Sequence, residues 1–386
     1  MICGGNAAVG VADVLRDHVG GLRLDREQAK TAAHILACRT GRLGGHLSAC
    51  DRCGRRHFSY HSCRDRHCPR CGSLDQAVWA EAQLEHLLPV SYFHLVFTLP
   101  RSLRPFFCGQ TRTHALGALF EAVCETTLEA SKTRGFRPGI LAVLHTWTQK
   151  LELHPHVHCL VTGGGLGPKG FVHCRRYLIP RKVLGALFKG KLLGKLERLR
   201  RERRIDVGRH SGHELLRDAS RRSWNVEIRR PLAGPEQVVR YFARYTHRIA
   251  ISNNRIVGYD GEWVRFRYRD RKDHNRQKTA RLDGPTFSRR FLQHTLPKGF
   301  VRIRRYGLLS NRVRKEMLER CRQLLGADPP VVIVDESRAA ASLRIFGKDP
   351  ERCPYCREGR LVVLITWRSP VTPEFVEMIC RPLEPP

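Results

Sequence analysis

Two pairs of cysteines near the start of the sequence constrain the fold more than any other feature. Cys50 and Cys53 form one pair, Cys68 and Cys71 form the other, and fourteen residues separate the pairs. Each pair can bend so that both thiolates face one metal ion, and an intervening hairpin brings the second pair to the first. The spacing therefore predicts a tetrahedral zinc site made of these four cysteines, with a small module folded around it.

Other donors near this module leave its ligand set open. The stretch HFSYHSCRDRHCPRC places extra imidazoles and one thiol between the two pairs, at His57, His61, Cys63 and His67. Any of them can replace one of the four cysteines or support a second metal ion, with Cys63 and His67 the preferred candidates. Each of these side chains is also consistent with an ordinary surface histidine or a small buried cysteine.

A third pair, Cys353 and Cys356, resembles half of a zinc ribbon whose second pair is missing. It is an additional zinc candidate, with Cys321 and Cys380 as distant single donors. The remaining cysteines stand in apolar or mixed surroundings and are expected only to pack; they are Cys3, Cys38, Cys108, Cys124, Cys159 and Cys174. An odd count of 15 cysteines with no targeting segment before them indicates a reducing compartment, and we expect a cytoplasmic, nucleoid-associated protein.

Positive charge runs along the whole chain. Lysine and arginine number 69 against 36 acidic residues, a formal charge of +33, and 56 of the 69 are arginine. An arginine-rich proteome would produce such an excess, but so would a protein that neutralises phosphates, and DNA is the partner we expect. A hydrophobic content of 41% excludes a disordered polycation, and no apolar run is long enough to predict a membrane span.

The chain divides into three predicted parts: an N-terminal helix and zinc module over 1–88, a larger domain over 89–325 and a C-terminal segment over 326–386. Residues 181–230 carry sixteen basic and six acidic residues, which predicts a helix followed by a mobile basic loop. Alternating apolar runs predict strands at 91–100, 140–149, 156–165, 248–252, 255–260 and 263–270. Helical spacing predicts helices at 25–47, 75–89, 113–134, 235–248, 285–295 and 311–325.

A histidine motif opens the strand predicted at 156–165. His156 and His158 alternate with Val157, so both imidazoles project from one face while the valine enters the core. Two such imidazoles can hold a divalent cation. If this strand and the preceding one form a hairpin, His145 reaches the same end of the sheet as a third ligand; His154, Gln149 and Glu152 are weaker alternatives.

A pair of tyrosines lies on the helix predicted at 235–248. Tyr241 and Tyr245 are four residues apart and share a helix face. Such a pair commonly packs on a sheet, but here the neighbours are Arg240, Arg244, His247 and Arg248. A tyrosine hydroxyl can attack a DNA phosphate when a cation polarises the phosphodiester.

These motifs, taken in order, resemble those of the HUH single-strand endonucleases, and more closely the rolling-circle transposases of the insertion sequence ninety-one family. The matching stretches lie between about residues 25 and 325 and are SCRDRHCPRC, VFTLP, HTWTQ, HPHVHCLV, RYFARYTHRIAISNNRI and HTLPKGFVRIRRYGLLSNR. The resemblance implies an α+β protein with a central antiparallel sheet, flanking helices and an N-terminal zinc domain. It also implies cleavage and rejoining of single-stranded DNA through a 5′-phosphotyrosine link.

Carried to this sequence, the resemblance makes His156 and His158 ligands of Mg²⁺ or Mn²⁺ and makes Tyr245 and Tyr241 the nucleophiles. Relaxases of the same superfamily use a third histidine eleven residues before the pair, and His145 has that spacing.

Two groups of arginines are candidate DNA contacts. Arg240, Arg244 and Arg248 accompany the tyrosines, while Arg265, Arg267 and Arg269 alternate along one predicted strand. A solvated sheet face would show the same alternation. The zinc module and the 181–230 segment are expected to help recognise the end of the element.

Two alternatives remain open. A plasmid replication initiator or relaxase would share the catalytic core. A non-catalytic zinc-containing regulator would account for the charge and the cysteines but not for the paired histidines and tyrosines.

Overall fold

Helices and antiparallel sheets build the molecule, and this confirms the predicted α+β class. The computed structural model describes residues 9–174, 180–232, 237–238, 250–270, 273–329 and 336–368. The helices of these ranges, numbered along the chain, are α1 (Val11–His18), α2 (Arg26–Ala37), α3 (Ser73–Ala82), α4 (Arg112–Lys132), α5 (Arg181–Arg201), α6 (Gly212–Arg221), α7 (Gly284–Leu292), α8 (Arg314–Leu325) and α9 (Arg338–Phe346). The strands are β1 (Gly45–Cys50), β2 (Arg56–Tyr60), β3 (Tyr92–Thr98), β4 (Arg137–Trp147), β5 (Leu153–Gly167), β6 (Gly170–His173), β7 (Val226–Leu232), β8 (Ile256–Tyr259), β9 (Trp263–Asp270), β10 (Arg276–Asp283), β11 (Ile303–Gly307) and β12 (Leu361–Trp367).

Local capping explains where several helices begin and end. The Asp25 carboxylate accepts a hydrogen bond from the Gln28 backbone N–H at 2.9 Å and starts α2. Asp283 does the same for α7, whose first turn contains Pro285. Helix α9 starts at the Ser337 cap and stops at Gly347, which has a φ of 64°.

The central sheet has the order β11-β4-β5-β3-β7, and β6 pairs with the far end of β5. Neighbouring strands are antiparallel. Val157, Cys159 and Val161 face one core, which α4, α5 and α6 cover. Alternate residues such as Leu160 face a second core that contains residues of α8. Because both faces are covered, the central strands β3, β4 and β5 contain long apolar runs.

Three glycines near the end of β5 lie inside the strand, although the predicted strand stops at residue 165. Strand β5 continues to Gly167, and Gly165 pairs with Pro138 of β4 and Val172 of β6. A Cβ on Gly165 would lie 1.9 Å from the Arg137 carbonyl oxygen, and one on Gly163 would lie 2.6 Å from that of Ser91. The glycines therefore allow neighbouring backbones to approach closely.

The basic segment 181–230 is ordered as α5, α6 and β7, so the mobile loop predicted there is wrong. Helix α5 buries Leu184, Phe188 and Leu192 against α4. Its Lys195 also pairs with Glu121 and Glu125 of α4, at 3.1 and 2.8 Å. Part of this positive charge therefore serves packing rather than contact with a partner.

Two smaller sheets flank the central one. Strands β8, β9 and β10 form a meander whose inner face packs against α1, α2 and α7. Strands β12, β1 and β2 form the other sheet, with β1 in the middle. The predicted C-terminal segment therefore shares a sheet with the N-terminal module, while α1 packs on α7 of the larger part. The strand predicted at 248–252 is absent from residues 250–252, the part of it that the structure describes.

Candidate metal centres and DNA contacts

Three histidines meet at one end of the β4–β5 hairpin. His145 lies directly opposite His156, and His158 follows on the same face of β5. The ring centroids are 5.4 Å apart for His145 and His156, 4.5 Å for His145 and His158, and 5.0 Å for His156 and His158. One nitrogen from each ring lies within 4.8 Å of the others. The hairpin predicted from sequence thus brings together the three histidines assigned to a catalytic cation.

Hydrogen bonds fix the orientation of two of these rings. His156 Nδ1 lies 2.7 Å from the His154 carbonyl oxygen and donates to it, which leaves Nε2 for a ligand role. His158 Nδ1 lies 2.9 Å from Nε2 of His94, on β3. If His158 donates through Nδ1, its Nε2 carries the lone pair that a metal ligand needs. His94 was not identified from sequence, because its position beside His158 depends on the β3–β5 register.

Burial favours the neutral form of His158 and of the neighbouring His94. His145 and His158 are only 4% and 5% exposed. Burial, and then the neighbouring His145 and His156, hold the pKa of His158 well below its usual range. Burial likewise lowers the pKa of His94 to about 3. Neutral imidazoles are the form that binds metal ions.

The three side chains named as weaker alternatives have other contacts. The Gln149 Oε1 atom accepts a hydrogen bond from the Arg269 backbone N–H at 3.4 Å. Glu152 lies 3.8 Å from Arg104. The carbonyl of His154 accepts from His156, and its ring lies 5.3 Å from that of His156. Among the described residues, the group suited to a cation consists of imidazoles without a carboxylate. Imidazole ligands are typical of iron, nickel, copper and zinc, whereas Mg²⁺ and Mn²⁺ prefer oxygen ligands, so either of these two ions would also need phosphate or water oxygens at this centre.

The cysteine pairs predicted to share one zinc ion lie in two different clusters. Cys68 and Cys71 meet Cys38, at the end of α2, and Cys63, after β2. The Sγ atoms of Cys63 and Cys71 are 3.7 Å apart. Backbone N–H groups of Cys63 and Arg70 point at Cys38 and Cys68, at 3.5 and 3.4 Å. We refer to these four residues as the first cysteine cluster.

Cys50 and Cys53 instead meet Cys353 and Cys356, and we refer to these four residues as the second cysteine cluster. The Sγ atoms are 3.7 Å apart for Cys50 and Cys356 and 3.8 Å for Cys53 and Cys353. A hydrogen bond from the Gly359 backbone lowers the pKa of Cys356 to about 6. The predicted grouping failed because Cys50 and Cys53 lie at the turn of the β1–β2 hairpin, whereas Cys68 and Cys71 follow its open end.

Cys38 was expected only to pack, and the structure corrects that expectation. A count of the cysteines could have identified Cys38 as a ligand. Three CxxC pairs together with Cys38 and Cys63 make eight thiols, enough for two tetrahedral sites.

The histidines near the cysteine pairs have other partners. His67 contacts Asp65 through Nδ1 at 3.1 Å, and its Nε2 accepts from the Leu296 N–H at 3.2 Å, so both ring nitrogens are occupied. Its predicted role as a zinc ligand is therefore not supported by this geometry. His61 Nε2 lies 3.0 Å from that of His46. The ring of His57 lies against Tyr355.

Arginines of the β8–β10 sheet form an exposed row. Arg265, Arg267 and Arg269 alternate on β9 with Val264 and Phe266, which are buried on the other face. Strand β10 adds Arg281 opposite Arg265 and Thr279 opposite Arg267. In the ranges that the structure describes, no carboxylate forms a salt bridge with these four arginines. The predicted tyrosines and the arginines around them lie outside the described residues; they are Arg240, Tyr241, Arg244, Tyr245 and Arg248.

Comparisons with known proteins identify the family of this chain. The family described as "Transposase zinc-binding domain" matches residues 11–99, and the family described as "Putative transposase" matches residues 139–317. The chain is 40% identical to "Putative transposase y4qJ" of Sinorhizobium fredii (strain NBRC 101917 / NGR234), over 92% of this chain and 94% of the relative. It is 31% identical to "Transposase for insertion sequence element IS801" of Pseudomonas savastanoi pv. phaseolicola, over 87% and 83%. The chain belongs to the insertion sequence ninety-one family of transposases.

Membership of this transposase family gives the centres a context. The zinc-binding match contains the first cysteine cluster, so structural zinc is the metal of this module. The second family match contains the histidine hairpin. Transposases act on DNA, the partner that the charge predicts. No solved structure matches this transposase. No helix in the described part of the chain has the length and apolar character needed to cross a membrane.

Proposed function

We propose that this transposase cleaves and rejoins single-stranded DNA at the ends of its element through a covalent tyrosine link, with Mn²⁺ or Mg²⁺ at the histidine centre. The observation that carries the proposal is the convergence of His145, His156 and His158 on one face of the hairpin. Three protein ligands leave coordination positions open for a substrate, as catalytic metal sites require. A bound cation at this centre would withdraw charge from a phosphate oxygen.

The protein's own groups would carry the bond changes. The hydroxyl oxygen of Tyr245 or Tyr241 attacks phosphorus as it gives up its proton, the new O–P bond replaces the bond to the 3′ oxygen, and a free 3′-OH leaves. A second tyrosine allows one hydroxyl to cut one end while the other holds a second end. The 3′-OH then attacks a phosphotyrosine, and the tyrosine hydroxyl is restored.

An adduct assay tests the proposal. Because the link is to the 5′ phosphate, an end oligonucleotide labelled at its 3′ end should migrate with the denatured protein, while a 5′ label should yield a shorter strand that a polymerase can extend. His156→Ala and His158→Ala should abolish both products, whereas His173→Ala, on β6 at the far end of the sheet, should not. Full cleavage by the two hairpin variants would overturn the proposed role of the histidines. If the wild type forms no adduct, the proposal is wrong and the alternative of a non-catalytic DNA-binding regulator is favoured.

Tyrosine substitutions divide the chemistry further. We expect Tyr245→Phe to lose the adduct and Tyr241→Phe to lose the second cleavage or the rejoining. Tyr60→Phe, an exposed phenol on β2, is the matched control. If only one of the two variants loses any of these activities, the reaction uses a single tyrosine.

The outer face of β9 would hold the strand next to the cut. Arg265, Arg267 and Arg269 repeat every two residues, about 6.7 Å along the strand, and line one face. The row ends beside the hairpin, because the Arg269 backbone N–H donates to Gln149. Gln149 is four residues from His145, at most about 14 Å along the chain. The phosphates next to one bound at the histidine centre would therefore contact the guanidinium groups of this row.

A salt titration tests this DNA path. Replacing all three arginines with glutamine should lower the slope of log affinity against log salt by about 2, since each phosphate on a single strand contributes about 0.7. The matched control is Arg312→Gln/Lys315→Gln/Arg320→Gln, which removes equal charge on and beside α8, the helix that contacts β6. If the two triple variants show equal slopes of log affinity against log salt, the DNA does not follow the outer face of β9.

A further inference from the structure

The second cysteine cluster has the dimensions of a metal site. Its Sγ pairs are 3.7 and 3.8 Å apart, and all four sulfurs lie within 4.8 Å of one another. Thiolates bound to one zinc ion at about 2.3 Å in a tetrahedron stand about 3.8 Å apart. The two sulfurs of a disulfide lie about 2.05 Å apart, so neither pair forms a disulfide. We propose that Cys50, Cys53, Cys353 and Cys356 bind a second zinc ion, which fastens the C-terminal segment to the N-terminal module.

The backbone around these cysteines is built for thiolates. The N–H groups of Arg52 and Cys53 both point at Cys50 Sγ at 3.4 Å, and that of Gly359 points at Cys356 Sγ at the same distance. A Cβ on Gly359 would lie 2.4 Å from Cys50 Sγ. Only glycine lets the C-terminal loop approach this closely, and N–H groups aimed at sulfur stabilise its anionic form.

Strand pairing delivers the two halves of the site to one place. Cys50, the last residue of β1, lies opposite Leu361, the first residue of β12. Beyond this pair the Asp51 N–H donates to the Arg360 carbonyl at 3.0 Å, and the Arg360 N–H donates to the Asp51 carboxylate at 2.8 Å. The chain between Cys53 and Cys353 is 300 residues long, yet the register fixes both loops against each other.

Hydrophobic burial does not hold β12 in place by itself. Val362, Val363 and Leu364 are 52%, 55% and 52% exposed, and of the apolar residues on this strand only Trp367 is buried. A strand with so little buried apolar surface gains little from the hydrophobic effect. A metal ion that needs thiolates from both halves would supply the missing free energy, since binding of a structural zinc ion is coupled directly to folding.

This site lies partly outside the zinc-binding family match. That match ends at residue 99 and so contains Cys50 and Cys53 but not Cys353 or Cys356. The family description therefore covers only half of the ligands.

Metal counting on the full chain tests the proposal. Because the histidine centre can also take up zinc, the ions are counted in a His156→Ala/His158→Ala background, where protein purified in the presence of zinc should contain two zinc ions per chain by elemental analysis. Cys353→Ser and Cys356→Ser should each contain one, while Cys356→His, which restores a ligand, should regain two. Cys108→Ser, an exposed cysteine outside both clusters, should keep two.

Several results would overturn the proposal: one zinc ion in the background protein with all its cysteines, two in Cys353→Ser and Cys356→Ser, or iron in place of zinc. If the serine variants do not fold, the background protein still decides the question. Refolding it with Co²⁺ should produce the visible absorption of tetrahedral thiolate coordination, rising until two equivalents are bound. Saturation at one equivalent would refute a second site.

Discussion

The histidine centre and the cysteine clusters are both groups of metal-binding side chains, but they are built in opposite ways. The histidine centre takes three ligands from two neighbouring strands of one hairpin. Each cysteine cluster takes four ligands and gathers them from separate loops, which in the second cluster are 300 residues apart. Four protein ligands fill a tetrahedral zinc ion, whereas three leave room for a substrate. Under the proposed function, this difference assigns the cysteines to holding the fold together and the histidines to contact with DNA.

Substituting one ligand in each kind of centre tests this comparison, and these substitutions should have the largest effects on stability and on reaction rate. Cys71→Ser should lower the free energy of unfolding by about 3 kcal/mol or more, because zinc binding is coupled to folding. His156→Ala should change stability by less than about 1 kcal/mol but slow adduct formation about 100-fold or more. Urea unfolding and the rate of adduct formation measure the two effects. The comparison fails if the histidine variant unfolds and the cysteine variant remains stable.

A smaller effect is expected at His94, which supports the histidine centre without being one of its three ligands. His94 Nε2 lies 2.9 Å from His158 Nδ1, and losing such a partner typically weakens metal binding 10- to 100-fold. His94→Leu should weaken Mn²⁺ binding in that range, measured by the electron paramagnetic resonance signal of free Mn²⁺ during titration. His94→Gln, which keeps a side-chain acceptor, should recover part of the affinity. Equal affinity in the wild type and the leucine variant would show that His94 only fills space.

The smallest effect concerns acid stability of the hairpin that carries the histidines. His294 is buried beneath it, with Nδ1 3.1 Å from the Thr146 hydroxyl and Nε2 3.2 Å from the Leu151 carbonyl. Burial lowers the pKa of His294 to about 3. Below about pH 6.5 the unfolded chain binds a proton at this residue and the folded chain does not, so stability falls as the pH drops from 6.5 towards 3.

From pH 7 to pH 5 this one residue should remove about 2 kcal/mol of stability. His294→Gln should be less stable than the wild type at pH 7 but should lose less between the two pH values, as judged by urea unfolding. His173→Gln, at an exposed position, should keep the wild-type dependence. Identical pH slopes in His294→Gln and the wild type would remove His294 from the explanation.

Local patterns predicted the histidine hairpin well. Alternation along a strand is a property of three consecutive residues, so the common face of His156 and His158 could be inferred directly. The short connection between two apolar runs then placed His145 near the same end of the sheet, and in the structure it pairs with His156. His94 could not be found in this way, because nothing local specifies that β3 pairs with β5 in the register that brings it to His158.

The cysteines show where local reasoning fails. The spacing of Cys50, Cys53, Cys68 and Cys71 is that of a single zinc site, and each pair does bend as a knuckle. The partners of each pair depend on β12 pairing with β1 and on Cys38 lying at the end of α2. Contacts over hundreds of residues leave no trace in ligand spacing. The predicted end of β5 at residue 165 was wrong for a related reason. The glycines of β5 are needed because neighbouring strands approach closely, which the sequence of β5 alone does not show.

The pairing of β1 with β12 also has a consequence for how the protein is made. All ligands of the first cysteine cluster lie within residues 38–71, so they leave the ribosome almost together. Cys53 must wait for Cys353, and at about 5–20 residues per second that delay is about 15–60 s. During synthesis β1 has β2 beside it but lacks its other neighbour, so one of its edges stays open until nearly the whole chain has emerged. Shortened copies of the gene that end before β12 would leave that edge open permanently.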